Sequence, residues 1–411
     1  MRALIFSMTM LLAAVSGSLG DEKPQVEQKI RSIENGLVPF TAPIDMLQPR
    51  TTDSTNLETL PERMAHYKVP GVSIAVINDN KIEWARAYGT IRAGSDIPVT
   101  GETLFEAAST SKLIVSTIAL HCVEQGLLEL DANVNKKLKS WKIPENSLTE
   151  GHKVTLRLLL THQAGLNRPE GGFSWKEGST PTLLQTLNGV APAENKPAVI
   201  EYVPGRKWQY SNFGYLVIQL LIEDVVGEPF PRIARQTIFE PLAMKSSTFE
   251  VPLDAGLKKK EAVPHDAEGT AHEPEMHPTA VANGGLMTTP TDLALFTNEL
   301  ILAYRGESNQ VLSREMVSKM FRRELDLDPA ILGVPLGEGL GVLLFGKGEN
   351  FSFLHPGDNL PGASSWLMGF PDSANGIVVM TNGAMGNLLA MEIVAAIINE
   401  YRWPAVQNSA D

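Results

Sequence analysis

Alternating apolar and polar residues predict β-strands near both ends of the chain. Apolar side chains recur at every second position from Gly71 to Val76, and a second apolar run follows the polar turn at 78–80. This pattern predicts a two-stranded hairpin. Near the other end, short apolar runs bounded by Gly, Asp or Asn predict four more strands. Their expected ranges are 339–345, 351–355, 364–370 and 376–381.

Between these strands, apolar residues recur at helical spacing. A last helix is expected after the final strand, with Leu389, Ile393 and Ile397 on one face. The other expected helices cover 109–125, 155–165, 212–226, 231–239 and 291–304. This order predicts an α/β (α+β) fold with one antiparallel sheet, built from both chain ends and flanked by helices. A mostly helical second lobe would lie beside the sheet, with a cleft between them.

The first residues have the pattern of an export signal. Met1 and Arg2 precede an apolar run at 4–15, and small residues follow before Asp21. We expect a cleavable signal peptide at 1–20 and a periplasmic or extracellular location. The apolar run is too short to span a bilayer as a helix. No integral membrane anchor is expected after cleavage, and an uncleaved anchor is the alternative.

The remainder of the chain is expected to form one domain with two lobes. The sheet lobe would comprise about 61–108 and 330–404, and the helical lobe about 109–329. An N-terminal leader is expected at 21–60, and a short tail at 405–411.

Composition excludes some classes of function. Of the 411 residues, 43% are hydrophobic, which is enough for a full core, and the net charge is −12. An acidic surface repels phosphate backbones, so nucleic acid is not an expected partner. Cys122 is the only cysteine, which excludes an internal disulfide.

The segment from Ser109 to Lys112 carries the first candidate chemistry. It opens a predicted helix, where positions i and i+3 share a face, so the Lys112 amine can reach the Ser109 hydroxyl. A serine hydroxyl becomes a nucleophile when a neighbouring base takes its proton. Lysine can be that base if burial lowers its pKa. The alternative is an ordinary helix cap, since a Ser-x-x-Lys segment also occurs by chance.

Two further polar segments stand where catalytic groups are often placed. Tyr210-Ser211-Asn212 precedes an apolar helix, and the alternative is that Ser211 or Asn212 merely caps that helix. His355-Pro356-Gly357-Asp358 follows an apolar run. Its proline indicates an edge strand or a strand end, and its glycine allows another backbone to approach closely. Such a strand can offer backbone N–H groups as an oxyanion hole.

In this order, the three segments resemble the serine β-lactamase and penicillin-binding family. Its members carry Ser-x-x-Lys, then Ser-Asp-Asn or Tyr-x-Asn, then Lys-Thr-Gly. With Tyr-x-Asn as its second motif, the chain resembles one branch of this family. That branch contains class C β-lactamases, D-alanyl-D-alanine carboxypeptidases, D-aminopeptidases and family VIII esterases. Flanking stretches at 69–73, 158–166 and 284–289 also resemble this branch. The resemblance extends from about Leu60 to Trp403.

The resemblance implies a β-lactamase/transpeptidase-like fold and a role for each matching residue. Ser109 would form the acyl-enzyme, with Lys112 as its base partner. Tyr210 would take the serine proton and later activate the deacylating water. A Lys112 cation is expected to lower the pKa of a nearby Tyr210 phenol, and the sequence leaves open which of the two residues is neutral at the moment of attack. Asn212 would hold the substrate and Lys112 in register.

The third segment departs from the family pattern. Only Gly357 matches Lys-Thr-Gly, and the backbone N–H groups of Ser109 and Asp358 would form the oxyanion hole. His355 is expected to be neutral at pH 7, so it would not supply the positive charge of the family lysine. Pro356 lacks the hydroxyl of the family threonine. These changes weaken the prediction of a dedicated β-lactamase and leave that of a hydrolase.

The sequence therefore predicts a serine hydrolase that needs no metal or cofactor and cleaves an ester or amide through an acyl-enzyme on Ser109. Expected substrates are small esters, amides, β-lactams or D-amino-acid peptides. One alternative is a penicillin-recognising sensor module without turnover. Another is metal binding by His265, His272 and His277, but their spacing matches no compact zinc pattern. A solvated connecting loop is the preferred interpretation of that segment.

Overall fold

The computed structural model describes residues 22–40, 56–169, 173–274, 276–329 and 333–404. The predicted signal peptide at 1–20 and the predicted tail at 405–411 lie outside these residues. Within the described ranges, no helix combines the length and apolar character that a bilayer span requires.

Strands from both ends of the chain form one sheet, as predicted. Eight of the ten strands in the described residues pair antiparallel in the order β2-β1-β10-β9-β8-β7-β6-β5, and β3 pairs with β4 separately. The strands are β1 Gly71–Asn78, β2 Lys81–Gly89, β3 Phe105–Glu106, β4 Met287–Thr288, β5 Leu325–Asp326, β6 Gly337–Glu338, β7 Leu343–Phe345, β8 Ser352–Asn359, β9 Ala363–Phe370 and β10 Asn375–Thr381. The two chain ends meet where β1 pairs with β10, with Val72 opposite Thr381.

Helices cover both faces of this sheet and build the second lobe. They are α1 Glu22–Glu34, α2 Leu60–His66, α3 Ser111–Glu124, α4 Leu156–Leu160, α5 Leu183–Asn188, α6 Asn212–Val226, α7 Phe230–Ala234, α8 Ala255–Lys258, α9 Pro290–Arg305, α10 Arg314–Met320 and α11 Gly386–Tyr401. Helix α6 has its predicted bounds. Helix α4 ends five residues before the predicted position 165, because His162 has a φ of 54° and the chain turns back there.

Strand β8 is longer than the predicted 351–355 and carries the third candidate segment within it. Its pairing with β7 ends at Leu354, which lies opposite Leu343. Beyond that point β8 pairs only with β9, and Pro356 lies opposite Trp366. The strand is therefore an edge at Pro356, where the missing N–H interrupts no pairing with β7. This confirms the expected edge position of the proline.

The core has two layers, one on each face of the sheet. Val378 of β10 packs toward the helical lobe with Leu113 and Leu216, whereas its neighbour Val379 faces the opposite layer of α1, α2 and α11. Alternate residues of a strand point to opposite faces, so one strand serves both layers. The cavity described below opens where these layers end beside β6, β7 and β8.

Candidate active site

Ser109 lies on a turn between β3 and α3. Residues Ala108–Thr110 form a 3₁₀ turn, and α3 begins at Ser111 instead of the predicted 109. Ala108 has a φ of 47°, a conformation that residues with a Cβ seldom adopt. The preceding backbone is held beside β4, because the Ala107 N–H donates at 2.8 Å to the carbonyl of Leu286, the residue before that strand. The strained turn leaves Ser109 half-buried at the edge of a cavity.

The three predicted catalytic residues come together at the Ser109 hydroxyl. Lys112 Nζ lies 3.0 Å from Ser109 Oγ, as the i, i+3 spacing indicated. The Tyr210 hydroxyl donates to the same oxygen at 2.8 Å. Lys112 also donates to the backbone carbonyl of Asn283, and this carbonyl holds the amine where Asn212 was expected to do so.

Burial moves the pKa values of both proton-transfer residues. Lys112 is fully buried, and desolvation lowers the pKa of its amine well below the ordinary value. Desolvation raises the pKa of the Tyr210 phenol, more than the hydrogen bond to Ser109 lowers it. The expected lowering of the phenol pKa is therefore wrong, because burial of the phenol outweighs the groups that lower its pKa. A neutral amine beside Ser109 Oγ has a lone pair that can accept the serine proton.

His162 supports the loop that carries Tyr210. Its ring lies against the Tyr210 ring, with centroids 4.3 Å apart. Its Nδ1 accepts the Ser211 N–H at 3.2 Å, and its carbonyl accepts the Gln209 N–H at 2.9 Å. Burial, followed by the nearby Lys112 and His355, lowers the pKa of His162 well below its usual range, so the ring is neutral. Sequence reasoning missed this role, and its only signal was the position of His162 in the stretch 158–166.

Gly357 allows β8 to lie directly against the Ser109 turn. A Cβ at this position would lie 2.5 Å from the Ala107 carbonyl oxygen and 2.8 Å from the Ser109 backbone nitrogen. The Thr110 hydroxyl also donates to the His355 carbonyl at 3.0 Å. These contacts bring the backbone segment of Asp358 next to that of Ser109, as two donors of one oxyanion hole would require.

The remaining predicted substrate-binding residues, Asn212, His355 and Asp358, line the same cavity. His355 is buried, and desolvation lowers its pKa to about 3, so it is neutral at pH 7. The Asp358 carboxylate accepts hydrogen bonds from Ser364 and Asn387. Asn212 has no hydrogen-bond partner for its buried Oδ1 among the described residues.

The cavity has a volume of about 890 Å³ and is mostly apolar. Ser109 and the Tyr210 loop form one end of its wall, and the faces of β7, β8 and β9 form another. Arg168 contributes a cationic side chain, with its guanidinium carbon 6.0 Å from the Tyr210 ring centroid. The apolar lining residues are Val334, Leu336, Leu343, Phe345, Leu354, Pro356, Trp366, Met368, Leu388 and Met391. A carbonyl compound attacked by Ser109 can therefore place an apolar group in this space.

The three histidines between 265 and 277 have separate surroundings. His265 is buried, with Nδ1 2.9 Å from the Asn382 carbonyl, so this part of the segment is not the solvated loop that we expected. His272 pairs with Asp266, and His277 accepts the Ala280 N–H. Within the ranges that the structure describes, no three His, Cys, Asp or Glu side chains form a group able to hold a metal ion.

Comparison with protein families and curated sequences gives one consistent result. The model of the family described as Beta-lactamase matches residues 58–397. A "Putative D-alanyl-D-alanine carboxypeptidase" of Escherichia coli (strain K12) is 27% identical over 225 residues, covering 51% of this chain and 49% of that protein. A protein of the same name from Salmonella typhimurium is 25% identical, with 51% and 50% covered. The chain thus spans about half the length of the curated relatives it matches.

Solved structures with the same fold include a penicillin-binding protein homologue and a D-alanine carboxypeptidase. An octameric penicillin-binding protein homologue from Pyrococcus abyssi superposes with a TM-score of 0.68 and 26% identity, covering 84% of this chain and 78% of that one. The D-alanine carboxypeptidase AmpC from Burkholderia cenocepacia gives a TM-score of 0.64, covering 83% and 96%. Its identity is 21%, so this second likeness concerns the fold alone.

Proposed function

This chain belongs to the Beta-lactamase family, and from that membership we propose that it is a serine hydrolase cleaving an ester or amide through an acyl-enzyme on Ser109. The observation that carries the proposal is the arrangement at the serine. Ser109 Oγ lies 3.0 Å from the buried Lys112 amine and 2.8 Å from the Tyr210 hydroxyl. A hydroxyl placed between a proton acceptor and a proton donor is suited to attack a carbonyl and expel a leaving group.

Acylation begins with the attack of Ser109 Oγ on the substrate carbonyl carbon. The neutral Lys112 amine accepts the serine proton as the new C–O bond forms. The backbone N–H groups of Ser109 and Asp358 stabilise the negative charge on the carbonyl oxygen. When the bond to the leaving oxygen or nitrogen breaks, Tyr210 donates its proton to that atom and regains one from the Lys112 ammonium. The acyl group then remains on Ser109.

Deacylation repeats these steps with water as the nucleophile. A water molecule that replaces the leaving group gives its proton to the same pair, Tyr210 and Lys112, as it attacks the acyl carbon. Ser109 regains a proton when the ester bond breaks. Each step conserves protons within the three residues and the bound reactants, so the proposed cycle requires no metal or cofactor.

The proposed substrates are small esters, amides or D-amino-acid peptides, with weak action on β-lactams. The neutral His355 supports this order, because it supplies no positive charge to the carboxylate of a β-lactam. Export to the periplasm or the cell exterior is also part of the proposal, and it rests on the pattern of residues 1–20.

Kinetics with the wild type and Ser109→Ala test this proposal. We expect the wild type to hydrolyse p-nitrophenyl acetate and to take up a fluorescent penicillin, and the variant to do neither. Activity should persist in EDTA. A stable penicillin adduct without ester turnover would favour the sensor alternative. A wild type that takes up no penicillin and cleaves no ester would contradict the enzyme proposal.

A further inference from the structure

One wall of the cavity carries a buried carboxyl group that the proposed reaction does not use. Glu338 of β6 is 3% exposed and lines the cavity that also contains Ser109. Its hydrogen bond within the described residues comes from Trp208 Nε1, at 3.3 Å. No lysine or arginine in the described ranges forms an ion pair with it. Burial raises the pKa of this carboxyl well above its usual range.

The sheet register places Glu338 at the end of an apolar row. Glu338 lies opposite Leu343, Leu343 lies opposite Leu354, and Leu354 lies opposite Met368. Residues paired across neighbouring strands point to the same face of a sheet. All four side chains line the cavity. A ligand lying on this face would therefore contact hydrocarbon along most of its length and one carboxyl group at its end.

The groups around this carboxyl favour a positive charge. Trp208 donates to Glu338 at 3.3 Å and offers an aromatic face beside it, whereas Lys112 and Arg168 already lie over the ring of Tyr210. Aromatic faces attract cations through their quadrupoles, and a buried carboxylate gains most from a cation that comes within hydrogen-bond distance. Neither group attracts an anion. A neutral polar ligand could form a hydrogen bond with Glu338, but it would not gain the attraction between the carboxylate and a positive charge.

We infer that this wall is a subsite for an apolar chain bearing a primary ammonium group, so that the preferred substrate is an ester or amide whose amine pairs with Glu338. This inference rests on the proposed function, because the cavity must hold a substrate of Ser109. The Glu338 proton passes to solvent as the ammonium enters. The resulting carboxylate and ammonium carry opposite charges, and the apolar row packs against the chain that bears the amine.

Two esters of equal length test the subsite. p-Nitrophenyl 6-aminohexanoate and p-nitrophenyl heptanoate differ only in having an ammonium or a methyl group at the chain end. We expect the wild type to have a kcat/KM about ten- to a hundredfold higher for the amino ester, as a charged hydrogen bond in a buried site would give. Glu338→Gln keeps the shape and neutrality of the protonated acid, and it should abolish this preference.

A matched variant separates the subsite from a general effect of losing a buried carboxyl. Glu299 is also 3% exposed, and its partners Ser308 and Gln310 lie outside the cavity. Glu299→Gln should keep the wild-type ratio of the two kcat/KM values. Equal rates for both esters in the wild type, or an unchanged ratio in Glu338→Gln, would overturn the inference.

Labelling of Ser109 with a fluorophosphonate distinguishes failure of the ammonium subsite from failure of the proposed hydrolase function. A wild type that is labelled and hydrolyses heptanoate without preferring the amino ester would refute the ammonium subsite alone. A wild type that is not labelled and hydrolyses neither ester would refute the proposed function, and the subsite with it.

Discussion

The contact of Gly357 with the Ser109 turn can be broken by a single methyl group. In Gly357→Ala, the new Cβ would lie 2.5 Å from the Ala107 carbonyl oxygen, 2.7 Å from Ser365 Oγ and 2.8 Å from the Ser109 backbone nitrogen. Ordinary contact begins at 3.4 Å, so the Ala107 oxygen and the new Cβ must separate by about 0.9 Å. Because two of these three atoms belong to the backbone, either β8 or the Ser109 turn has to move.

A shift of this size is enough to disable an oxyanion hole. Its donors must lie about 2.7–3.1 Å from the developing oxyanion, and the loss of one donor costs about 10²–10³-fold in kcat. We expect kcat for p-nitrophenyl acetate to fall about a hundredfold or more in Gly357→Ala. Overpacking should also lower the free energy of unfolding by about 1–3 kcal/mol, which urea denaturation would measure.

Gly101→Ala is the matched control, because a Cβ at Gly101 has no heavy atom within 4 Å. It should retain the kcat and the stability of the wild type. A folded Gly357→Ala enzyme with wild-type kcat would show instead that the close approach of β8 to Ser109 does not position the oxyanion donors.

Two further predictions concern the ionisation of Lys112 and Tyr210 and the buried ion pair between Arg63 and Glu392. In a pH–rate profile, the kcat/KM of the wild type should rise as Lys112 loses its proton, well below pH 10.5. It should stay high until Tyr210 ionises, above the ordinary pKa of a phenol. A rise that begins only near pH 10.5 would contradict a lowered pKa of the Lys112 amine. Glu392→Ala should lower the free energy of unfolding by about 3 kcal/mol, the lower end for breaking a buried ion pair, because buried Arg63 loses the carboxylate 2.8 Å away and keeps only the more exposed Glu58 at 3.0 Å. Urea denaturation would measure this loss, and a shift no larger than that of the exposed-pair variant Lys319→Ala would contradict it.

The parts of the fold that the sequence predicts are those with a strong local pattern. The hairpin of β1 and β2 and the helix α6 follow from alternation, turn residues and apolar spacing within one segment. The two-residue strands β5 and β6 were not predicted, because so short a strand is defined by its partner rather than by its own pattern. The end of α4 was also missed, since the left-handed turn at His162 has no marker such as glycine.

In the candidate site, too, features set by local sequence were predicted, and features set by distant segments were not. The approach of Lys112 to Ser109 follows from helical geometry, and the motif order indicated that Tyr210 would join them. The direction of the Tyr210 pKa shift was wrong, because it depends on burial by distant segments. Glu338 gave no signal as a lone acidic residue in a glycine-rich stretch. Its surroundings arise only when Trp208, 130 positions away, and the strands β7 and β8 enclose it.

Mass spectrometry can show whether Ser109 is the residue that forms the covalent intermediate. The wild type would be treated with a fluorophosphonate, digested, and its peptides sequenced to locate the adduct. We expect one modified residue, Ser109, and no adduct in Ser109→Ala. Modification of a different serine, or ester hydrolysis that persists undiminished in Ser109→Ala, would contradict it.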